Sequence, residues 1–309
     1  MPQLSVVSPV YRAEGCIAEL HRRLTAVLHA VGVDYEIILV DDGSPDRSAE
    51  EVARAADADS HVIGLLLSRN FGQHAAISAG IAEASGDWIV VMDCDLQDRP
   101  EDIPALYARA RDGNDIVIAR RDQRGRSALK RAASRAWFAI LNRLTDLPVD
   151  PAAGSFSIVS RHVADEFLRL NDQHRHYLLA LRWLGFRSAY VEVGLGERFS
   201  GRSSYTLAAL VRHAVSGIAS HSTRLLYLSI YGAFVFVFLA VAQFAWVIYL
   251  KLFHGVGVAG WASVVAAIWL TGGAILASLG VLGIYVGRIF EQVKERPLYV
   301  VRRRIRSAS

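Results

Sequence analysis

The chain has 309 residues, 52% of them hydrophobic, with a mean hydropathy of +0.26, which is high for a purely soluble protein. The formal net charge of +4 does not mark a nucleic-acid binder: after Val286 seven Lys/Arg stand against Glu291 and Glu295, giving +5 there and leaving −1 for the rest. With only Cys16 and Cys94 and no paired spacing, neither a disulfide framework nor a zinc site is indicated.

Met1-Pro2-Gln3 runs straight into strand-like sequence, so no signal peptide is expected and the N-terminal portion is expected to stay in the cytoplasm. Strand-like runs follow at Leu4 to Val10, Tyr35 to Val40, His61 to Leu67, Trp88 to Met92 and Asp115 to Ala119. Helical patterns fall between them at about 14 to 53, 72 to 85 and 100 to 112. Such alternation implies crossover connections and a doubly wound, mainly parallel α/β sheet, with ligands bound beyond the carboxyl ends of its strands.

Three of those ends are polar: Ser8-Pro9-Val10-Tyr11, Asp41-Asp42-Gly43-Ser44 and Asp93-Cys94-Asp95. Side chains at i and i+2 of a strand point to the same face, so Asp93 and Asp95 can converge on one point while Cys94 looks the other way. Like charges that close need a cation between them. Hard oxygen donors without His or Cys favour Mg²⁺ or Mn²⁺, which takes one or two carboxylates plus substrate phosphate oxygens.

Residues 127 to 145 read as an amphipathic helix, with Leu129, Trp137, Ile140, Leu141 and Leu144 among Lys130, Arg131, Arg135 and Arg143. That pattern suits either a helix lying at a membrane surface or a core-packed helix with a solvated basic face. A strand at Gly154 to Ser160, a helix at 175 to 184, a strand at Ser188 to Val193 and a helix from Thr206 to Ser222 are expected next.

Leu225 to Leu250 and Trp261 to Val286 carry no Asp, Glu, Lys, Arg or His. At 26 residues each, they are roughly 39 Å long as helices against about 30 Å of hydrocarbon, enough to span with tilt. Arg212 and Arg224 precede the first, only Lys251 and His254 lie between, and the basic tail follows the second, so both termini are expected in the cytoplasm. The tail suits anionic lipid headgroups. Gly272, Gly273, Gly280 and Gly283 suit self-association through the spans into a homo-oligomer.

PVY (9 to 11), VDDGSPD (40 to 46), RNFGQHAAISAGI (69 to 81), MDCDLQDRPED (92 to 102) and RFSGRSSY (198 to 205) together resemble the inverting glycosyltransferases of family 2. With two C-terminal spans the chain is similar to the polyprenyl-phosphate glycosyltransferases, among which dolichol-phosphate mannose synthases are familiar. The resemblance implies a GT-A-type domain over 1–205, a juxtamembrane helix at 206–224, two transmembrane helices within 225–286 and a basic cytoplasmic tail at 287–309. It also implies a bacterial inner-membrane location, a UDP- or GDP-sugar donor and a polyprenyl phosphate acceptor.

Residue by residue, Pro9, Tyr11, Glu14, Asp41 and Asp42 resemble the nucleoside pocket of that family. Asp93, Asp95 and Gln97 match its metal cluster, for Mg²⁺ or Mn²⁺. Arg120, Arg198 and Arg202 resemble its phosphate-facing cations, and Arg131 and Arg135 could join Arg198 or Arg202 in steering the lipid headgroup. Ser155 stands where many members carry the Asp cast as catalytic base, and a serine cannot be an effective base at neutral pH. A lipid phosphate, with a second pKa near 6, is already substantially a dianion and needs less deprotonation than a hydroxyl.

A processive polysaccharide synthase is the alternative enzyme, but Leu179 stands where its Q-x-x-R-W motif needs Gln before Arg182-Trp183. A degenerate transferase acting as a membrane scaffold or sensor is the non-catalytic alternative, favoured by Ser155 and opposed by Asp93, Asp95, Gln97 and Arg198.

Overall fold

The structure, a computed structural model, describes residues 2–121, 152–173, 175–194, 224–254 and 260–307. The helices expected at 127 to 145 and from Thr206 to Ser222 fall outside them, as do Arg131, Arg135, Arg198 and Arg202. The described chain divides into two compact units, one built on a sheet and including the segment after 296, the other carrying the last two helices.

The sheet unit runs β1 (Leu4–Val10), α1 (Ile17–Val31), β2 (Tyr35–Asp41), α2 (Ser48–Ala58), β3 (Val62–Leu67), α3 (Gln73–Glu83) and β4 (Trp88–Val91). A short 3₁₀ turn at Pro100–Asp102 leads into α4 (Ile103–Arg111), followed by β5 (Ile116–Arg121). The described chain resumes with β6 (Ala153–Ser160), α5 (Arg161–Arg169), α6 (Tyr177–Leu184) and β7 (Ser188–Val193), and β8 (Val301–Arg306) closes the unit. The helical range 14 to 53 therefore resolves into α1 and α2 around β2.

Strand order is β7-β5-β6-β4-β1-β2-β3-β8. The neighbours β4-β1-β2-β3 run parallel, as does β5 with β7, while β6 lies antiparallel to both β4 and β5 and β8 antiparallel to β3. β1, β2 and β3 are buried along their whole length, which is why they read as unbroken apolar runs. Alternation then divides the core: Val6, Ile37 and Leu39 face α1, α2 and α4, while Val7, Ile38 and Val40 face α3, α5 and α6. Helices on both faces make the sheet doubly wound, as expected.

A buried polar network fixes the other end of the sheet. Glu36 Oε1 accepts from Ser5 Oγ (2.6 Å), Ser85 N (2.6 Å) and Ser85 Oγ (2.9 Å), and Ser5 Oγ in turn accepts from Gly86 N (2.8 Å). Truncating Glu36 leaves the buried Ser5 hydroxyl without its acceptor, while exposed Ser85 can turn to water. Glu36→Ala is expected to lower unfolding stability by about 3 kcal/mol, read from urea denaturation.

The sequence reading of 287–309 as a basic tail is corrected. Residues up to Val293 continue the last helix, and Val301–Arg306 form an edge strand whose Ile305 is buried beside Gly64 and whose Arg304 pairs with Glu83 of α3. Arg302, Arg303 and Arg306 stay exposed. Cationic side chains along an edge strand discourage pairing with another sheet.

In the second unit, α7 (Arg224–His254) and α8 (Trp261–Val293) each contain a stretch long and apolar enough to cross a membrane, Ser229–Trp246 and Ala267–Val293, and none of either stretch is buried. Phe238 is 71% and Trp269 78% exposed. A core helix of a soluble protein would hide such residues, and water would not tolerate them in this number; lipid does.

Candidate active site

Parallel pairing brings the carboxyl ends of β1, β2 and β4 to one edge. Val10 lies opposite Asp41 and Val7 opposite Val91, so the loops at 11–16, 42–47 and 92–99 emerge together. The first two are cross-linked: Arg12 N and Ala13 N donate to Ser44 Oγ (3.2 Å) and Ser48 Oγ (2.9 Å), and Arg47 N donates to Glu14 Oε2 (3.0 Å). Pro9 is buried within β1 opposite Val40, whereas Tyr11 is 43% exposed at the strand mouth.

Asp41 and Asp42, expected in the nucleoside pocket, are each 2% exposed and face the protein's own backbone. Asp41 accepts from Ser44 N. Asp42 takes Phe71 N on Oδ1 (2.7 Å) and Gly72 N on Oδ2 (2.8 Å), fastening the entry to α3. Burial pushes the Asp42 carboxyl above its usual pKa, and the two amides pull it partly back. Tyr11 and Glu14 are thus the exposed members of this group, and the aspartates hold the loops around them.

The acidic loop after β4 departs from expectation in its geometry. The strand ends at Val91, and Asp93 and Asp95 lie in the turn beyond it, with Leu96 at φ 62°. The strand-face argument for their convergence is therefore corrected: Asp93, Asp95 and Gln97 are half-buried, while Cys94, Leu96 and Asp98 are buried. A turn that sinks Cys94 and Leu96 into the core leaves the three oxygen-bearing side chains on the accessible side.

Within the loop, Gln97 N donates to Asp95 Oδ1 (3.1 Å). Asp93 Oδ1 accepts from Gln73 Nε2 (2.6 Å) and from Ser155 Oγ (3.0 Å). Burial, with Asp93, Cys16 and Asp95 adding to it, pushes the Cys94 thiol up to about 12, so this cysteine stays protonated and inert. No group of three His, Cys, Asp or Glu side chains poised around one point occurs among the described residues. Two carboxylates and an amide oxygen, with the remaining positions left to phosphate and water, suit Mg²⁺ or Mn²⁺.

Ser155, on β6, reaches the site because β6 runs antiparallel and starts at this edge: Ala153 lies opposite Arg120, exposed one residue before the end of β5. The Ser155 hydroxyl thus donates to the acidic loop. Sequence reasoning placed Asp93, Asp95, Gln97, Ser155, Tyr11 and Arg120 at this edge, but missed Gln73. The signal for Gln73 was its place in RNFGQHAAISAGI, between two acidic loops.

The doubly wound sheet thus gathers its acidic loops at the carboxyl ends of its central strands. The chain belongs to glycosyl transferase family 2, whose model matches residues 5–168. Over 302 residues it is 35% identical to an uncharacterized glycosyltransferase, YkcC, of Bacillus subtilis (strain 168), covering 97% of this chain and 94% of the relative. It is also 35% identical over 302 residues to an undecaprenyl-phosphate 4-deoxy-4-formamido-L-arabinose transferase of Shewanella sediminis, covering 96% of this chain and 91% of the relative. An uncharacterized glycosyltransferase of Synechocystis, sll0501, is 35% identical over 300 residues, covering 97% and 94%.

Proposed function

We propose that the protein transfers a sugar from a UDP- or GDP-sugar to polyprenyl phosphate, with inversion, at the cytoplasmic face of a bacterial inner membrane. The observation that carries this reading is the match, along nearly the whole chain and both apolar helices, to a relative named for undecaprenyl phosphate. An apolar hairpin keeps the enzyme in the phase where such an acceptor resides.

Tyr11, projecting beside the Asp41-Asp42 loop, offers a ring for the nucleoside base. Asp93, Asp95 and Gln97 would hold the divalent ion, which would supply charge neutralisation to the departing diphosphate. Arg120 lies near the end of β5 at the same edge and suits a phosphate contact, a role that the resemblance extends to Arg198 and Arg202. Arg131 and Arg135 are assigned to the lipid headgroup because they lie in the basic amphipathic stretch at 127 to 145.

Ser155 donates its proton toward Asp93, and that agrees with an acceptor that arrives already ionised. The phosphate oxygen attacks the anomeric carbon opposite the leaving nucleotide, and the nucleophile needs only to be positioned. Self-association through the glycine-bearing face of α8 remains part of the proposal.

The test is a screen of sugar nucleotides against undecaprenyl phosphate in detergent, with and without Mg²⁺. A chloroform-soluble, alkali-stable sugar phosphate formed only with metal is expected. Hydrolysis alone, or nucleotide binding without turnover across the screen, would favour the scaffold or sensor reading instead.

A further inference from the structure

The segment 69–73 links the two acidic loops. Its backbone presses against the Asp41–Ser44 turn so closely that a Cβ on Gly43 would stand 2.4 Å from Arg69 C, and Asp42 holds its Phe71 and Gly72 amides. The next residue, Gln73, opens α3 and reaches Asp93. We propose that Gln73 is a positioning residue for the metal-binding carboxylate of Asp93, working with Ser155 from the opposite strand. The inference rests on the divalent-cation reading above and adds to it the groups that orient one ligand.

A carboxylate turns about a broad terminal torsion, so its backbone alone does not aim its oxygens. Two neutral donors on one oxygen, from α3 and from β6, fix the plane of the Asp93 carboxylate without cancelling its charge. A lysine in place of Gln73 would compete with the cation, and a glutamate would repel Asp93 before the cation arrives. Donors of this kind behind a metal ligand are worth 10- to 100-fold in metal affinity. Gln73 is exposed, and α3 is anchored separately by Ala76, Ile77 and Ala79 in the core. Its amide therefore has water as an alternative partner, and the fold does not depend on the contact.

The test uses the full-length protein in detergent, with Mn²⁺ and UDP or GDP as probes, reading free Mn²⁺ by electron paramagnetic resonance. Gln73→Met keeps the length and removes the donor; Gln73→Ala removes both. Each is expected to weaken Mn²⁺ binding by roughly tenfold. Gln73→Met combined with Ser155→Ala should weaken it further, and the Gln73 single variants should leave the thermal midpoint unchanged. The Mn²⁺ concentration giving half-maximal rate should rise in parallel.

Wild-type Mn²⁺ affinity in both Gln73 variants would overturn the proposal, as would a loss that merely tracks a lower thermal midpoint. If the wild-type protein itself retains no Mn²⁺ with either nucleotide, the divalent-cation reading falls and this inference with it. That outcome is distinguishable because the silence then begins with the unsubstituted protein.

Discussion

Asp95→Ala is expected to abolish transfer to lipid phosphate, by on the order of 10³-fold or more, in a protein that still folds and still enters the membrane. A metal that neutralises a departing diphosphate contributes several kcal/mol to the transition state, and each 1.4 kcal/mol is about tenfold in rate. Removing one of two carboxylate ligands forfeits most of that. The structural cost is small by comparison. Asp95 is half-buried in a turn and accepts from Gln97 N, a contact worth about 1 kcal/mol. Turnover of a labelled sugar nucleotide, measured beside the thermal midpoint, separates the two effects. Full activity in the variant would remove the metal assignment.

Gly43→Ala is expected to be the most disruptive single-atom addition near the site. Gly43 has φ 63°, a left-handed conformation that costs an alanine about 1 kcal/mol. The larger effect is steric. The new Cβ would lie 2.4 Å from Arg69 C and 2.6 Å from Asn70 N, backbone atoms that cannot rotate away as a side-chain tip would. The 69–72 segment is also held by Asp42, so either those hydrogen bonds break or the Asp41–Ser44 turn shifts with it. A stability loss of about 2–4 kcal/mol follows, with nucleotide affinity falling at least tenfold because Tyr11 is tied to this turn through Arg12 and Ser44. Denaturant unfolding and nucleotide titration check the two halves separately. Wild-type values in both would show that the loops are looser than the close backbone approach implies.

Much of this architecture is legible in the sequence because its central strands are buried on both faces, and burial on both faces writes itself as uninterrupted Val, Ile and Leu. The paired carboxylates are equally plain. What they do locally is less so: the i, i+2 spacing of Asp93 and Asp95 reads as one strand face, whereas β4 stops at Val91 and the residues beyond form a loop with alternating burial and Leu96 in a left-handed conformation. β8 hid for a related reason. Four arginines in six residues look like a solvated tail, since an edge strand with one buried side chain, Ile305, leaves almost no hydrophobic pattern. α5 went unpredicted beside it, although Ser160 caps its start by accepting from Val163 N. The contacts that define the site are the least legible of all. Gln73 and Asp93 are 20 residues apart and Ser155 and Asp93 are 62 apart, and no local periodicity announces a meeting that only the strand order arranges. Ser155 was visible as a missing carboxylate but not as a donor.

The central claim is that a divalent cation joins the Asp93 and Asp95 carboxylates to a nucleotide's diphosphate. Calorimetric titration of UDP and GDP into the purified protein, with Mn²⁺ and then with excess chelator, addresses it directly. The account predicts that one of the two nucleotides binds at least tenfold more tightly with Mn²⁺, and that Asp95→Ala erases the difference. Equal affinity with and without the metal for both nucleotides, unaltered in the variant, would contradict it.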